Sequence, residues 1–362
     1  MSEYITLTLQ GDHYTMGRQH GVQVRELRPL IAQAVEARLE QIERDAPDAR
    51  FETLLRGTRV ALETFSPSVL EQIRGQAEAL EFDFETLLRY DLVSYLRDDL
   101  VTRKLAISEG CTTWAATGSA VIAGQTLLVK NRDYRLGHLS LQVVIRARPE
   151  AGYRYICNGS AGSPGVFCAG INQAGLAVAD THVCSTDLGP GLPDYALMMH
   201  LLEEQDSVSS AVDYLRSVPR LGRNNLILAD EQGHLAVFES GHTRYGLFET
   251  HDGTLVNTNH YVSPALRDFF VDSSPQVTKG NSFHRYRKLT HELNSAVGRI
   301  DVPFAQRLMA THDGPLASIC RHPLEGCSSA TISACIFLPA ERTMLFCHGL
   351  PCRGQYEEFT LG

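Results

Sequence analysis

The chain has 362 residues, with 33 lysines and arginines against 42 aspartates and glutamates, and a formal net charge of −9. Its 43% hydrophobic and 21% charged content is typical of a globular protein and excludes extensive disorder. Because an acidic chain without basic runs lacks a surface that neutralises phosphates, no nucleic-acid partner is expected. No stretch approaches the ~18 consecutive apolar residues of a membrane span, and the N-terminus lacks a secretory leader. We therefore expect a cytoplasmic protein without a membrane partner.

The N-terminal third of the chain is predicted to be mostly helical. A short strand is expected over residues 4–10, and apolar residues then recur at helical spacing from 16 to 42. Further helices are predicted over 51–64, 67–80 and 84–106, where Pro67 and a turn near Asp83 mark two of the boundaries.

The remaining chain is predicted to be rich in strands. Runs that favour strands occupy 112–116, 120–122, 126–130, 141–147 and 153–157, and their order predicts an antiparallel meander. Further elements, listed in chain order, are helices over 194–205 and 207–217, strands over 224–230, 234–240, 244–249 and 254–258, helices over 283–296 and 303–311, and strands over 330–338 and 342–348. The glycine-rich run 159–175 lacks the phosphate-binding motifs and is expected to form a loop lining a pocket. Grouped strands and grouped helices predict an α+β fold with helices outside two stacked sheets.

Cys111 begins the strand-rich part, within the run SEGCTTW at positions 108–114. An internal cysteine is usually a small buried hydrophobic residue, so its neighbours decide whether it is functional. Asp133 follows 22 positions later, a separation that two antiparallel strands and their turn fold back on themselves. Arg132 would then point to the opposite face of the strand, because side chains alternate. A surface position for Arg132 and a turn position for Asp133 remain open.

Nine cysteines without a secretory leader are expected to be reduced thiols. Sulfur and imidazole ligands suit zinc, but the spacings match no CxxC pair, so buried or incidental thiols are the favoured interpretation. We therefore expect neither a metal nor a cofactor. The residues considered for zinc are Cys320, His322, Cys327, Cys347, His348 and Cys352.

Five segments together resemble a known enzyme family: GCTTW at 110–114, NRD at 131–133, the glycine-rich run 164–178, TNHY at 258–261 and SICRHP at 318–323. Their order and spacing resemble the acyl-coenzyme A:6-aminopenicillanic acid acyltransferase family, also called penicillin acyltransferases, a branch of the N-terminal nucleophile hydrolases. The resemblance extends from residue 11 to residue 352. It implies a four-layer αββα sandwich with a helical N-terminal segment.

The resemblance also implies that the precursor cuts itself between Gly110 and Cys111. The products would be a mostly helical segment 1–110 and a catalytic region 111–362 within one compact domain. Glycine before the cut suits this step because it adopts backbone conformations that are costly for other residues. The freed α-amine of Cys111, with an ordinary pKa of about 7.7–8.0, would take the thiol proton.

Within the family pattern, Asp133 would anchor the α-amine or the thiol of Cys111, and Asn259 would donate to the oxyanion. Asn257 remains the alternative donor, because it lies on the same strand face. Arg321 matches a family arginine that would bind an acidic group or hold the aspartate, although an exposed position is equally open.

Three further residues are expected to bind substrate or support the site: Arg132, Thr113 and His182. His182 lies where the bile-salt hydrolase branch carries a pocket asparagine, so this chain departs from that pattern.

The sequence thus predicts a self-processing cysteine enzyme that cleaves small N-acyl amides or acyl thioesters through an acyl-Cys111 intermediate. The acyl group would pass to water or to an amine, and the partners would be this substrate and the enzyme's own cleaved segment. A penicillin V or bile-salt type of amidase is a second candidate, although the 110-residue leader disfavours it. A non-catalytic, thiol-rich or zinc-holding scaffold is a third. The acyl group, the amine and the oligomeric state stay open.

Overall fold

Two β-sheets are stacked face to face, with helices on both outer faces. The computed structural model describes residues 4–44, 48–104, 110–325, 327 and 329–361. The predicted C-terminal end of the helix over 84–106 therefore lies outside the described residues. Ser108 and Glu109, which precede the expected cut, also lie outside them. None of the described helices is both long and apolar enough to cross a membrane.

The described α-helices agree closely with the predicted ones. In chain order they are α1 His13–Gln23, α2 Arg28–Arg44, α3 Ala49–Phe65, α4 Pro67–Leu80, α5 Phe84–Lys104, α6 Asp194–Glu204, α7 Val208–Ser217, α8 Asn281–Ser295, α9 Val302–Met309 and α10 Gly314–Ala317.

The described strands form two sheets. In chain order they are β1 Ile5–Gly11, β2 Gly110–Thr117, β3 Leu127–Arg135, β4 Gln142–Pro149, β5 Tyr155–Ser160, β6 Ala169–Asn172, β7 Ala177–His182, β8 Asn224–Ala229, β9 Leu235–Ser240, β10 Tyr245–Thr250, β11 Gly253–Asn257, β12 Ser329–Leu338, β13 Thr343–His348 and β14 Tyr356–Thr360.

The chain moves from one sheet to the other between β3 and β4. The eight-stranded sheet has the order β1-β4-β5-β6-β7-β8-β9-β10, and the six-stranded sheet has the order β11-β2-β3-β12-β13-β14. The predicted single meander is therefore wrong, because β2 and β3 belong to one sheet and β4 and β5 to the other. The first strand also pairs with β4 in parallel, which the antiparallel prediction missed.

Three apolar cores separate four layers. Helices α1–α7 pack on the eight-stranded sheet through residues such as Val143 and Val178. The facing surfaces of the two sheets meet through residues such as Ala115 and Ile156. Trp114 of the six-stranded sheet packs with residues of α8 and α9. This order of layers is αββα and confirms the predicted fold class. Strands buried on both faces also explain their long apolar runs.

Close backbone contact fixes the N-terminal helices. Helices α1 and α4 cross at Gly17 and Gly75, where an added Cβ on Gly75 would lie 2.1 Å from the carbonyl oxygen of Tyr14. The single helical pattern predicted over 16–42 is divided in the structure by a 3₁₀ turn at Arg25–Leu27.

Several local predictions were wrong. Residues 120–122 form no strand: short 3₁₀ turns occupy 118–120 and 122–124, and Val121 between them pairs only as an isolated bridge with Ile300. Part of the glycine-rich run is strand β6, in which Gly170 allows close packing: an added Cβ would lie 2.5 Å from Leu202 Cδ1. The strands β6, β7 and β14 and the short helix α10 were not predicted.

Candidate active site

Two adjacent strands in the six-stranded sheet position Cys111. In the antiparallel pair β2 and β3, Cys111 lies opposite Arg132, and Gly110 lies opposite Asp133. Because side chains alternate along a strand, Cys111 and Arg132 share the face that meets the other sheet. Asp133 belongs to the opposite face, as the alternation predicted.

A small cavity, about 70 Å³ in volume, opens at the Cys111 side chain. Tyr134, Phe167 and His182 contribute to its wall, together with the backbone segment at Gly110. The cavity is rich in charge of both signs. Its charged lining residues are Lys130, Arg132, Asp133, Asp180, Asp194 and Arg223.

The thiol of Cys111 is protonated at neutral pH in the uncut chain described by this structure. Burial raises the pKa of the Cys111 thiol to about 12, although the nearby Lys130 ammonium opposes this shift. A thiol is a weak nucleophile until it loses its proton. A nucleophilic role for Cys111 would therefore require a base close to its sulfur.

Lys130 is a buried cation that sequence reasoning missed. Its Nζ donates to the carbonyl oxygens of Cys168 at 3.0 Å and Asp180 at 2.7 Å, and it forms an ion pair with the Asp180 carboxylate. Burial alone would lower the pKa of Lys130, but the Asp180 carboxylate, with smaller contributions from Cys111 and Cys168, raises it overall. The ammonium therefore stays charged. The alternation of side chains along a strand could have identified Lys130, since position 130 shares a strand face with position 132.

Asp133 is held by Arg321 and Thr331 on the face away from the thiol. Thr331 Oγ1 donates to Asp133 Oδ1 at 2.6 Å, and Arg321 Nη1 lies 3.4 Å from Asp133 Oδ2. The backbone N–H of Arg321 donates to Thr331 Oγ1 at 2.8 Å, which closes the network. Of the options predicted for Arg321, the geometry matches the one in which it holds the aspartate.

Asn259 contacts the backbone of Cys111. Its Oδ1 accepts from the Cys111 N–H at 3.0 Å and from Arg285 Nη2 at 2.7 Å, while its Nδ2 donates to the His182 carbonyl oxygen at 2.8 Å. A guanidinium only donates and a carbonyl oxygen only accepts, so these partners fix the orientation of the amide.

Arg285 of α8 is the second residue that sequence reasoning missed. Its Nη1 donates to the Cys111 carbonyl oxygen at 2.5 Å and to Thr112 Oγ1 at 2.8 Å. Burial lowers the pKa of Arg285 to about 10, so the group remains charged at neutral pH. In the sequence it was one cation within a charged helix, and no local pattern distinguished it.

The space around position 110 is limited. The backbone of Gly110 is not among the positive-φ glycines of the described chain. An added Cβ would lie 3.0 Å from Asn259 Oδ1 and 3.1 Å from Arg321 Nη1. A larger residue would therefore press on the polar groups around the expected cut.

Two other predicted residues have interior roles. Asn257 Oδ1 accepts from Thr181 Oγ1 and from Asn225 Nδ2, each at 2.8 Å, so the side chain proposed as the alternative donor is bound in an interior network. Thr113 Oγ1 donates to the Asn257 carbonyl oxygen at 3.3 Å, and Thr113 does not line the cavity.

Part of the predicted zinc set lies together, with a histidine that was not considered. His322 Nε2 is 3.2 Å from Cys352 Sγ, and the ligand atoms of His312, His322 and Cys352 all lie within 4.8 Å of one another. Imidazole and thiolate ligands suit a transition metal ion. None of the three residues lines the cavity at Cys111.

A comparison with protein families agrees with the resemblance seen in the sequence. Residues 122–352 match the profile of the family described as acyl-coenzyme A:6-aminopenicillanic acid acyl-transferase. This range includes Asp133, Asn259 and Arg321, and it begins after Cys111. A search of curated proteins found no match.

Solved structures of two other proteins align with the chain. Two variants of the conjugated bile acid hydrolase from Clostridium perfringens each align with 70% of this chain and 97% of their own, at 12% identity and a TM-score of 0.46. Penicillin V acylase from Agrobacterium tumefaciens aligns with 66% of this chain and 83% of its own, at 15% identity and a TM-score of 0.42.

Replacing Arg321 by methionine is expected to destabilise the fold by about 3–5 kcal/mol, because it leaves the Asp133 carboxylate buried without its cation. Urea unfolding followed by circular dichroism measures this loss. The exposed pair of Arg267 and Asp268, 3.7 Å apart, supplies the control, since Arg267→Met should cost less than about 1 kcal/mol. Equal effects of the two substitutions would contradict the assignment of Arg321 as the cation that holds Asp133.

Proposed function

The chain belongs to the acyl-coenzyme A:6-aminopenicillanic acid acyl-transferase family of N-terminal nucleophile hydrolases, and we propose that it is a self-processing cysteine enzyme that cleaves small N-acyl amides or thioesters. The observation that carries this proposal is the placement of Cys111. Its side chain opens into a charged cavity, while its backbone N–H and C=O are bound by Asn259 and Arg285.

Self-cleavage would proceed by an N-to-S acyl shift. The Cys111 sulfur attacks the Gly110 carbonyl carbon, the C–N bond breaks, and the thiol proton passes to the released amine. Water then hydrolyses the thioester and leaves a Gly110 carboxylate and a free Cys111 thiol. The contacts of Asn259 with Cys111 and the close approach of Arg321 to Gly110 support this step, because they fix the peptide around the scissile bond.

Turnover would use the amine that the cut creates. Asp133 lies opposite Gly110 in the strand pair, so its carboxylate is suited to binding the new ammonium group at position 111. The neutral amine takes the thiol proton, and the positive charge of Lys130 favours the thiolate. The thiolate attacks the substrate carbonyl, the leaving amine or thiol takes the proton, and the acyl group then passes from sulfur to water or to an amine.

Asn259 is suited to stabilising the oxyanion in these steps. Its amide is oriented by the His182 carbonyl oxygen and by Arg285, so it needs no reorganisation during the reaction. Donors fixed in advance stabilise developing charge far better than mobile water does.

The two segments are proposed to stay together as one domain after cleavage. Strand β1 from the first segment pairs along its whole length with β4 from the second. Helices α1–α5 share one apolar core with strands of the eight-stranded sheet that follow the cut. The cleaved segment 1–110 would therefore remain the partner of segment 111–362.

A scaffold without activity is disfavoured by the charges around Cys111. A buried ion pair such as Lys130 with Asp180 adds little stability compared with apolar packing, so its position beside a thiol and a cavity favours a functional role.

Replacing Cys111 by alanine is expected to leave one uncut chain that releases no product, because the substitution removes the attacking sulfur. Intact-mass spectrometry measures the cut. A panel of N-acyl amino acids, β-lactams and acyl-coenzyme A thioesters, followed by mass spectrometry of products and of acylated Cys111, measures turnover. Cys168→Ala is the matched control, since Cys168 also lines the cavity and should leave both reactions intact. Cleavage of the Cys111→Ala variant at the same bond would contradict autocatalysis.

Replacing Asn259 by leucine is expected to lower kcat on the same panel by about 10²–10³-fold, because one fixed oxyanion donor is lost. Rates are measured per cleaved molecule, so that slower self-processing is not counted as slower turnover. Asn294→Leu, on the exposed face of α8, should leave kcat within about 2-fold. An Asn259→Leu variant with the wild-type kcat would remove Asn259 from the proposed mechanism.

A further inference from the structure

The cavity holds a second buried cation, Arg132, beside the thiol. Only 4% of Arg132 is exposed, and the residue lies directly opposite Cys111 in the pair of β2 and β3. Residues opposite each other in antiparallel strands have Cα atoms about 4.5–5.5 Å apart, and here both side chains point into the same cavity.

The polar partners of this guanidinium are neutral. Arg132 Nη1 donates to the Gly159 carbonyl oxygen at 3.3 Å, and its Nη2 donates to Ser160 Oγ at 2.9 Å. Its Cζ also lies 5.0 Å from the ring centroid of Tyr134 and 5.5 Å from that of Phe167. Among the residues that the structure describes, no carboxylate forms an ion pair with Arg132.

The neighbouring cations differ from Arg132 in this respect. Lys130 is paired with Asp180, and Arg321 is paired with Asp133. A buried charge without a counter-charge is unfavourable, so the charge on Arg132 favours the entry of an anion. The aromatic rings and the two hydrogen bonds hold the planar fork in place, and such a fork suits a carboxylate.

We propose that Arg132 binds a carboxylate of the substrate, so that the enzyme acts on N-acyl compounds with an anionic group close to the scissile carbonyl. The inference rests on the proposed nucleophile Cys111. In the six-stranded sheet, β2 with Cys111 lies between two strands. On one side is β11, which leads to Asn259, and on the other is β3, which carries Arg132. The carbonyl oxygen and the carboxylate of the substrate therefore point to opposite sides of Cys111.

Two substrate classes meet this requirement: N-acyl amino acids, with the carboxylate on the amine side, and monoamides of short dicarboxylic acids, with the carboxylate on the acyl side. The test compares each acid with a neutral counterpart, the carboxamide for the first class and the methyl ester for the second. In the Arg132→Gln variant, kcat/KM for the acid of the preferred class should fall by about 10- to 100-fold, mainly through KM. The neutral counterpart should change by less than about 3-fold. The substrate class whose acid loses activity in Arg132→Gln, while its neutral counterpart does not, shows whether the carboxylate lies on the amine side or on the acyl side.

Arg146→Gln is the matched control for this substitution. Arg146 also donates to a carbonyl oxygen, that of Thr360 at 2.9 Å, and also lies over a ring, 5.4 Å from that of Phe359. It does not line the cavity, so both substrates should behave as with the wild type. Equal losses for the acid and the neutral compound in Arg132→Gln would overturn the proposal, since they would indicate a structural role alone.

A second readout does not depend on hydrolase activity. Iodoacetate and iodoacetamide both alkylate thiols, and they differ in the presence of a carboxylate. The ratio of their rates at Cys111, followed by peptide mass spectrometry, should fall about 10-fold in Arg132→Gln and stay constant in Arg146→Gln. If this ratio falls while no amide or thioester is cleaved, the anion site stands and the proposed function fails. An unchanged ratio, or no alkylation of Cys111 by either reagent, would overturn the anion site.

Discussion

The hydrogen bonds between Arg285, Asn259 and the backbone of Cys111 are the interaction on which the site depends. Arg285 binds the carbonyl oxygen of Cys111, and Asn259 binds its N–H. Because Arg285 also donates to Asn259, one buried cation orients both groups. With its backbone fixed in this way, Cys111 can only direct its side chain into the cavity between the sheets. A side chain at residue 110 would press on the same groups.

The pairing of β2 with β3 divides the charged groups around Cys111 between two faces. The face toward the other sheet carries Lys130 and Arg132, which bring positive charge to the cavity at the thiol. The opposite face carries Asp133, fixed by Arg321 and suited to an amine at position 111. In the uncut chain burial keeps the thiol protonated. In the proposed mechanism, cleavage would supply the missing base, so that self-processing and activation of the nucleophile would be one event.

The sequence predicted the parts of the site that lie in short motifs. Cys111, Asp133 and Asn259 stand within such motifs, and the αββα layers follow from grouped strands and helices. Lys130 and Arg285 were missed for different reasons. The position of Lys130 depends on the register of two strands, and Arg285 reaches the site from a helix 174 positions after Cys111. The sequence also did not reveal that the chain passes from one sheet to the other between β3 and β4, because these two strands are alike in burial and composition. Contacts distant in sequence leave little trace in local patterns.

The claim that the chain becomes active by exposing Cys111 as a new N-terminus is tested most directly by N-terminal sequencing of the wild-type protein after it has matured. We expect two sequences, one of which begins Cys-Thr-Thr-Trp, from segments of 110 and 252 residues. A single sequence from an intact 362-residue chain, in protein that turns over substrate, would contradict it.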